Sequence, residues 1–229
     1  MSYRNQLLTV LARGGVSLDD HLERVEFAPH ERVQNPNQPV DFVYFPESGQ
    51  FSLMAAGLLG RNVEVGIIGN EGMTGVCVAL GDDRSPHLCF AQVRSVAFRL
   101  AATVLTDANA NSTIARAILT KYAHTVMTQM AYSALAGAHA SIEQRLARWL
   151  LMSQDRLGSP LPVTHEQLAF SIGVRRAGIT EALHQLAGKK CITVKRRRIE
   201  ICDRIGLQTL AAGLYGTPER EYQRLTLPA

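Results

Sequence analysis

Residues 164–186, THEQLAFSIGVRRAGITEALHQL, constrain the fold more than any other stretch of the chain. Leu168, Ala169, Ile172, Gly173, Val174, Ile179 and Leu183 recur at the spacing two short helices need to cross steeply and bury one shared face. That is a helix-turn-helix pattern. Gly173 supplies the positive φ of a tight inter-helix turn, Ala169 leaves room for the second helix, and Ile179 and Leu183 stand one turn apart on the buried side. Thr164 and Gln167 have capping-box spacing, which gives the first helix a defined start. The second helix then presents Arg175, Arg176, Thr180 and Glu181 outward, a polar set suited to phosphates and base edges in a major groove.

Beyond Gly188, the segment CITVKRRRIEICD is two β-branched runs broken by Lys195, Arg196, Arg197 and Arg198. It reads as a hairpin with a charged tip, the wing of a winged helix. Residues 164–204 hold nine Lys or Arg against four Asp or Glu, a net of +5, whereas the whole chain carries +4. The basic excess is therefore local, and such a patch binds polyanions by releasing their condensed counterions. At 229 residues the chain has room for two ordinary domains. No apolar run reaches bilayer-spanning length, and the start, MSYRNQLLTVLARGG, lacks the pattern of a secretory leader. The cytoplasm is the expected compartment, with no membrane partner. Cys77, Cys89, Cys191 and Cys202 form no CxxC pair and have no His at ligand spacing, so buried free thiols and no metal site are expected.

In chain order, residues 4–12 can form an amphipathic helix with Leu7, Leu8 and Leu11 on one face, stopped by Gly14 and Gly15. Ser17 is expected to cap a second helix, with Leu18 and Leu22 inward. Residues 25–100 then alternate short apolar runs (VEFAP, ERVQ, DFVYFP, QFSLMAAGL, NVEVGIIG, CFAQV, SVAFRL) with turns such as Asn35-Pro36-Asn37 and Gly81-Asp82-Asp83. Such spacing means a β-sandwich or a jelly-roll barrel, whose interior offers room for a ligand. Residues 112–136 read as a long helix with two stripes. One is Leu119, Ala123, Val126 and Met130, expected on the barrel; the other is Ile118, Tyr122, Thr125, Gln129 and Tyr132, expected to meet a partner helix. Gly137 is the expected break. Ser141 and Gln144 can cap IEQRLARWLLMSQDRL, which Leu146, Trp149, Leu150 and Met152 bury and Gly158 ends. After the wing, residues 205–225 read as a helical segment that packs on the same C-terminal domain through Leu207, Leu210, Leu214 and Tyr222. The expected class is α+β: a jelly-roll sensor over 1–110, a dimerisation helix over 111–137, and a winged helix-turn-helix over 138–229.

The order barrel, long helix, helix-turn-helix, wing resembles the Crp/Fnr family of bacterial regulators, typified by the cyclic-AMP receptor protein and the fumarate-nitrate reductase regulator. HLERVEFAPHERV, VDFVYFPESGQFSL, VEVGIIGNEGMTGV, SIEQRLARWLLMSQDR and LAFSIGVRRAGITEALHQL carry the resemblance, which covers nearly the whole chain. It implies a homodimer without enzymatic activity, bound to a palindromic operator whose half-sites lie about one helical turn apart, and in contact with RNA polymerase. Arg176 stands where the family places an arginine that reads guanine, a bidentate match to O6 and N7. Thr164 and His165 stand where phosphates are contacted. Arg175 replaces the usual Ser or Thr at the recognition-helix N-cap, Ala177 replaces a base-reading Glu, and Gly178 adds a helix penalty of about 1 kcal/mol. The operator therefore need not be the family's usual one. Thr164, His165, Arg175, Arg176, Gly178, Thr180 and Glu181, with Lys195, Arg196 and Arg197 from the wing, make up the expected DNA-binding set.

Members of the family that bind a cyclic nucleotide hold its phosphate with a Gly-Glu-Leu turn and an Arg-Ser or Arg-Thr pair. Arg84-Ser85 precedes Val96-Ala97 at a matching distance, while Pro86 and the NEGMTG context of Glu71 depart from the pattern. Glu71, Arg84 and Ser85, with Tyr122 and Thr125 from the long helix, are the effector candidates, for a cyclic nucleotide; the alternative makes Arg84 and Ser85 an ordinary exposed turn. No N-terminal cysteine cluster suits an iron-sulfur sensor. Two further readings are a cyclic-nucleotide module that signals through protein contacts and a cupin-type metal enzyme. The latter needs an HxH pair on one strand, which His21, His30 and His87 do not form.

Overall fold

The structure, a computed structural model, describes residues 3–57 and 62–226, with side chains through 224. Leu58 of the QFSLMAAGL run and the Leu225 side chain fall outside that description, as do Met1 and Ser2. Helix α1 (Gln6–Arg13) buries Leu7, Leu8 and Leu11. Its cap Asn5 accepts from the Leu8 amide and donates to the carbonyls of Pro46 and Gly72, which fixes the helix to one barrel strand and one turn. No helix follows Ser17. A single 3₁₀ turn, Asp19–His21, takes its place without a side-chain cap, because strand β1 opens at Glu23 and leaves no length for more.

All seven short runs become strands: β1 (Glu23–Phe27), β2 (Arg32–Gln34), β3 (Phe42–Ser48), β4 (Phe51–Ala56), β5 (Asn62–Ile68), β6 (His87–Ala91) and β7 (Ser95–Ala101). They form two antiparallel sheets, β1-β7-β3 and β2-β6-β4-β5, whose non-sequential order is that of a jelly roll. Alternate strand residues point between the sheets, and Phe45, Phe51, Val43 and Leu100 meet there with no exposed surface. Phe27 packs edge-on against Tyr44 and Phe51 at 5.1 and 5.3 Å. Side chains thus fill the barrel interior. One turn of helix, α2 (Val76–Ala79), and a full helix, α3 (Ala102–Asn111), follow β5 and β7.

Helix α4 (Thr113–His139) starts at Ser112, whose hydroxyl accepts from the Ala115 amide, and runs through Gly137. A glycine costs a helix only about 1 kcal/mol, so the break falls instead where Ser141 caps the next helix. Both predicted stripes of α4 face the chain's own barrel. Leu119 and Ala123 are buried as expected, but so are Tyr122 and Thr125 from the stripe assigned to a partner. The reason is polar. The Tyr122 hydroxyl donates to the Met73 carbonyl (2.7 Å) and accepts from the Met73 amide (2.9 Å), and the Thr125 hydroxyl donates to the Tyr122 carbonyl. Gln129 grips Ile67 through both its amide and its carbonyl. Ile118 and Tyr132 are half-buried, and Ile118 packs on the barrel core. The outward face carries Ile114, Met127 and Leu135 instead.

A second core belongs to α5 (Ile142–Leu157), α6 (His165–Ile172), α7 (Arg176–Gly188), the hairpin β8 (Ile192–Lys195) and β9 (Arg198–Ile201), and α8 (Arg204–Leu210). The capping boxes at Ser141/Gln144 and Thr164/Gln167 are both formed. Leu161 bonds Ile199 in both directions and anchors the wing to the chain ahead of α6. The terminal segment is two helices, α8 and α9 (Thr217–Thr226), because Ala212, Gly213 and Gly216 take positive φ between them. Only α8 packs on this second core through α5; α9 lies along α4, with the Tyr222 hydroxyl donating to the Glu71 carbonyl.

Tyr122→Phe leaves the Met73 amide and carbonyl buried without this partner. The expected cost is about 1–3 kcal/mol, read as a lower midpoint in chemical denaturation at unchanged slope.

Candidate nucleic-acid interface

The Thr164 hydroxyl accepts from the Gln167 amide while the Gln167 side chain accepts from the Thr164 amide, so α6 begins on a satisfied cap. Gly173 ends it at φ 71°. No side chain caps α7, because Arg175 holds the N-cap position with an extended backbone and sends its guanidinium to solvent. Arg176 opens the helix, its side chain 68% exposed and 3.8 Å from Glu166. His165 Nδ1 lies 3.1 Å from the Thr180 hydroxyl, which donates to the Arg176 carbonyl. His165, Arg176 and Thr180 therefore share one surface, and Thr164, at the start of the same helix as His165, lines a cleft with His30 of the barrel and Arg197 of the wing. Glu181, exposed, accepts from Gln185 one turn on.

Gly178 departs from expectation. It faces Ile142 at the start of α5, where an added Cβ would stand 2.9 Å from the isoleucine's terminal methyl. Its place is the helix crossing, where a small residue lets α7 approach α5. On the wing, Lys195 lies 4.0 Å from Glu200, and Arg196, Arg197 and Arg198 are exposed. The tip turns on Arg197, a non-glycine residue at φ 56°. Arg204, counted with the basic patch by sequence, is drawn away to Asp155 (2.7 Å) and the Tyr215 hydroxyl (2.6 Å).

The effector candidates separate. Glu71, Tyr122 and Thr125 line one cavity, which Arg84 and Ser85 do not reach. Arg84 is a surface side chain 3.5 Å from Asp83, and Ser85 bonds His87 and the Asn37 amide. Pro86 and the longer separation from Glu71 leave that pair as a turn braced against residues 37–40. Glu71 is engaged by Arg156 of α5 at 2.6 Å, and the Tyr122 ring covers Gly72 so closely that any Cβ there would lie 2.3 Å from it.

Residues that sequence reading missed join the two cores. Glu64 of β5 is buried and accepts from the Trp149 indole N–H (2.6 Å) and the Ser171 hydroxyl (3.1 Å), one donor from α5 and one from α6. Arg148, also buried, donates to the carbonyls of Leu214 and Gln129 and to Ser133. A charged residue on an alternating strand reads as solvent-facing, so only the buried Ser171 at an otherwise apolar helix surface hinted at a polar partner. Of the cysteines, Cys89 and Cys191 are buried and Cys77 half-buried, whereas Cys202 is exposed, against expectation. Burial pushes the Cys89 thiol up to about 12. Among the described residues no cluster of His, Cys, Asp or Glu is placed to hold a metal ion, and no helix is long and apolar enough to cross a membrane.

Two crossed helices with an exposed basic face beside a two-stranded wing define a winged helix-turn-helix DNA-binding domain, here attached through a long helix to a jelly roll. Residues 144–210 match the Crp-like helix-turn-helix domain. The fold is similar to FixK2 from Bradyrhizobium japonicum at 14% identity (82% of this chain, 96% of that one, TM-score 0.73). It is also similar to a putative Crp/Fnr-family regulator from Eubacterium rectale at 18% (90% and 94%, TM-score 0.68). A third likeness is to a CRP-family transcriptional regulator from Thermus thermophilus at 18% (82% and 97%, TM-score 0.68). No curated protein matches the sequence. The chain thus carries a Crp-like helix-turn-helix domain within a fold similar to that of Crp/Fnr-family regulators.

Burial holds the Glu64 carboxyl above the ordinary carboxylate range, although Ser52, Trp149, Ser171 and the nearby Arg148 charge all favour its charged form. The unfolded chain releases this proton near pH 4.5, so between that value and the raised folded one the folded state holds the extra proton. The stability involved is fully present below about pH 4.5 and is lost as pH rises through the folded value. Glu64→Gln keeps an acceptor for Trp149 and removes the titration. Melting temperatures from about pH 5 to about pH 8 are expected to decline less in the variant; an identical decline in both proteins excludes Glu64 as the source.

Proposed function

We propose that the chain is a sequence-specific transcription regulator that acts in the cytoplasm as a homodimer on a two-fold symmetric operator. The observation that carries this reading is the surface shared by the half-buried His165 and the exposed Arg176 and Thr180, with half-buried Thr164 at one cleft with Arg197 of the basic wing tip. Arg176 is placed to read a guanine through a bidentate contact, and Thr164 and His165 to meet phosphates. Arg175, Lys195, Arg196 and Arg197 add sequence-independent grip. Glu181, one turn beyond Ala177, takes a place near the base edges.

Pairing uses the outward face of α4, not the stripe turned to the barrel. Ala117, Thr120, His124, Met127, Ala131 and Ala134 alternate in steps of three and four, and all are exposed, Met127 by 59%. Small residues at coiled-coil spacing let two such helices approach closely. A dimer paired there carries two recognition helices, which the spacing of successive major grooves on one side of the duplex accommodates. Bound at a promoter, the dimer contacts RNA polymerase, and the signal it answers enters through the N-terminal half.

Arg176→Ala is expected to cost about 1–3 kcal/mol at one base position and to relax preference there. Replacing Arg196 and Arg197 together with Ala is expected to weaken all DNA sequences alike and to lower the salt slope by about two. Fluorescence anisotropy on operator variants and a salt titration separate the two effects. Ala131→Glu is expected to yield monomers in sedimentation with the fold retained, and with operator affinity lost; a dimer of unchanged stability assigns pairing to another surface.

A further inference from the structure

Between the barrel, α4, α5 and α9 lies a half-open cavity of about 470 Å³, within the range of small-molecule sites. Its wall is contributed by parts that the family-matched domain does not join by itself: α9 begins after residue 210, where that match ends. The two guanidiniums in the wall are already engaged. Arg156 pairs with Glu71 at 2.6 Å, and Arg204 pairs with Asp155 at 2.7 Å and lies over the Tyr215 ring. Glu219 of α9 is different. Its carboxylate accepts from the Gly216 amide at 2.7 Å and forms no ion pair among the described residues. The buried Arg148 spends its donors on neutral acceptors and does not line the space, although its charge and that of Arg156 lie within electrostatic reach of Glu219.

Three carboxylates against two engaged guanidiniums set the chemistry. An anion gains a guanidinium here only by displacing that arginine's carboxylate, and otherwise meets only neutral amides such as Asn70 and Gln223. A cationic donor meets Glu219 directly. Val126, Pro218 and Tyr222 give the same space an apolar side suited to a flat ring.

We propose that this cavity binds a small planar molecule whose cationic, donor-rich end (an amidine, guanidine or amine) pairs with Glu219 while its ring rests on Val126, Pro218 and Tyr222. A ligand there touches the barrel, the long helix and the DNA-binding domain together, so occupancy favours the arrangement in which all three are docked. The inference deepens the regulator reading by naming where a signal enters, and rests on it for that consequence alone.

Three nearly isosteric probes test it on the full chain: benzamidine, benzamide and benzoate, which differ in charge. Calorimetry and thermal shift are expected to show benzamidine binding about tenfold or more tightly than benzamide, and benzoate not at all. Glu219→Gln is expected to reduce benzamidine affinity about tenfold while leaving benzamide nearly unchanged. Gln223→Lys, at the same cavity wall, is expected to reduce benzamidine affinity as well and serves if Glu219→Gln folds poorly. Equal binding of the three probes, preference for benzoate, indifference to both substitutions, or no binding of any probe up to about 10 mM overturns the proposal. Operator binding is measured on the same samples. Operator binding without a benzamidine response removes the cavity proposal alone; the reverse removes the regulator reading alone.

Discussion

The relation between the two cores rests on a carboxylate out of water. Glu64 sits on a barrel strand beside Ser52 of β4, yet its carboxylate also accepts from two donors of the DNA-binding domain, Trp149 and Ser171. Burying a carboxyl is unfavourable unless its partners stay in place, so the contact is worth having only when α5 and α6 are both seated on β5. Packing around it has the same all-or-none character. Ile67, a barrel residue, is part of the second core, and Gly173 of the helix-turn-helix lies against Val63. The two domains therefore meet through a shared interior, and the helix-turn-helix inherits its orientation from the sheet.

Helix α4 joins that interior to the barrel through polar atoms as well as through Ala115, Leu119 and Val126 in the barrel core. Tyr122 holds Met73, Gln129 holds Ile67, and Arg148 reaches from α5 to the Gln129 carbonyl. Hydrogen bonds of this sort have one satisfied geometry, so a helix held by them changes position in steps and not by sliding. The 69–73 turn is gripped from three directions, by Tyr122, by Arg156 through Glu71, and by Tyr222. A displacement of that turn is felt by the long helix, α5 and α9 at once.

Much of the fold was legible because its signals are local. Seven strands followed from alternation and turn residues, and α5 from a capping box and a closing glycine, since each depends on neighbours within a few positions. What escaped depends on distance along the chain. Nothing near Tyr122 or Gln129 reveals that their polar ends seek backbone groups some fifty or sixty residues earlier, and without that their stripe looks free for a partner. Tyr222 reaches back 151 residues, so α9 was assigned to the wrong neighbour. Gly178 was read for its helix penalty because its contact, Ile142, lies on another helix. The recognition surface itself was visible as charge and spacing; Arg204 fell out of it through a carboxylate that only the fold brings near.

At the wing tip the backbone and the side chain have opposite demands. Residue 197 occupies the left-handed region, where glycine fits without strain and a residue with a Cβ gives up roughly 1 kcal/mol. The chain keeps arginine there. Glycine at this position would relieve the strain and remove one of the charges at the tip, so backbone ease and grip on a polyanion cannot both be maximised at residue 197.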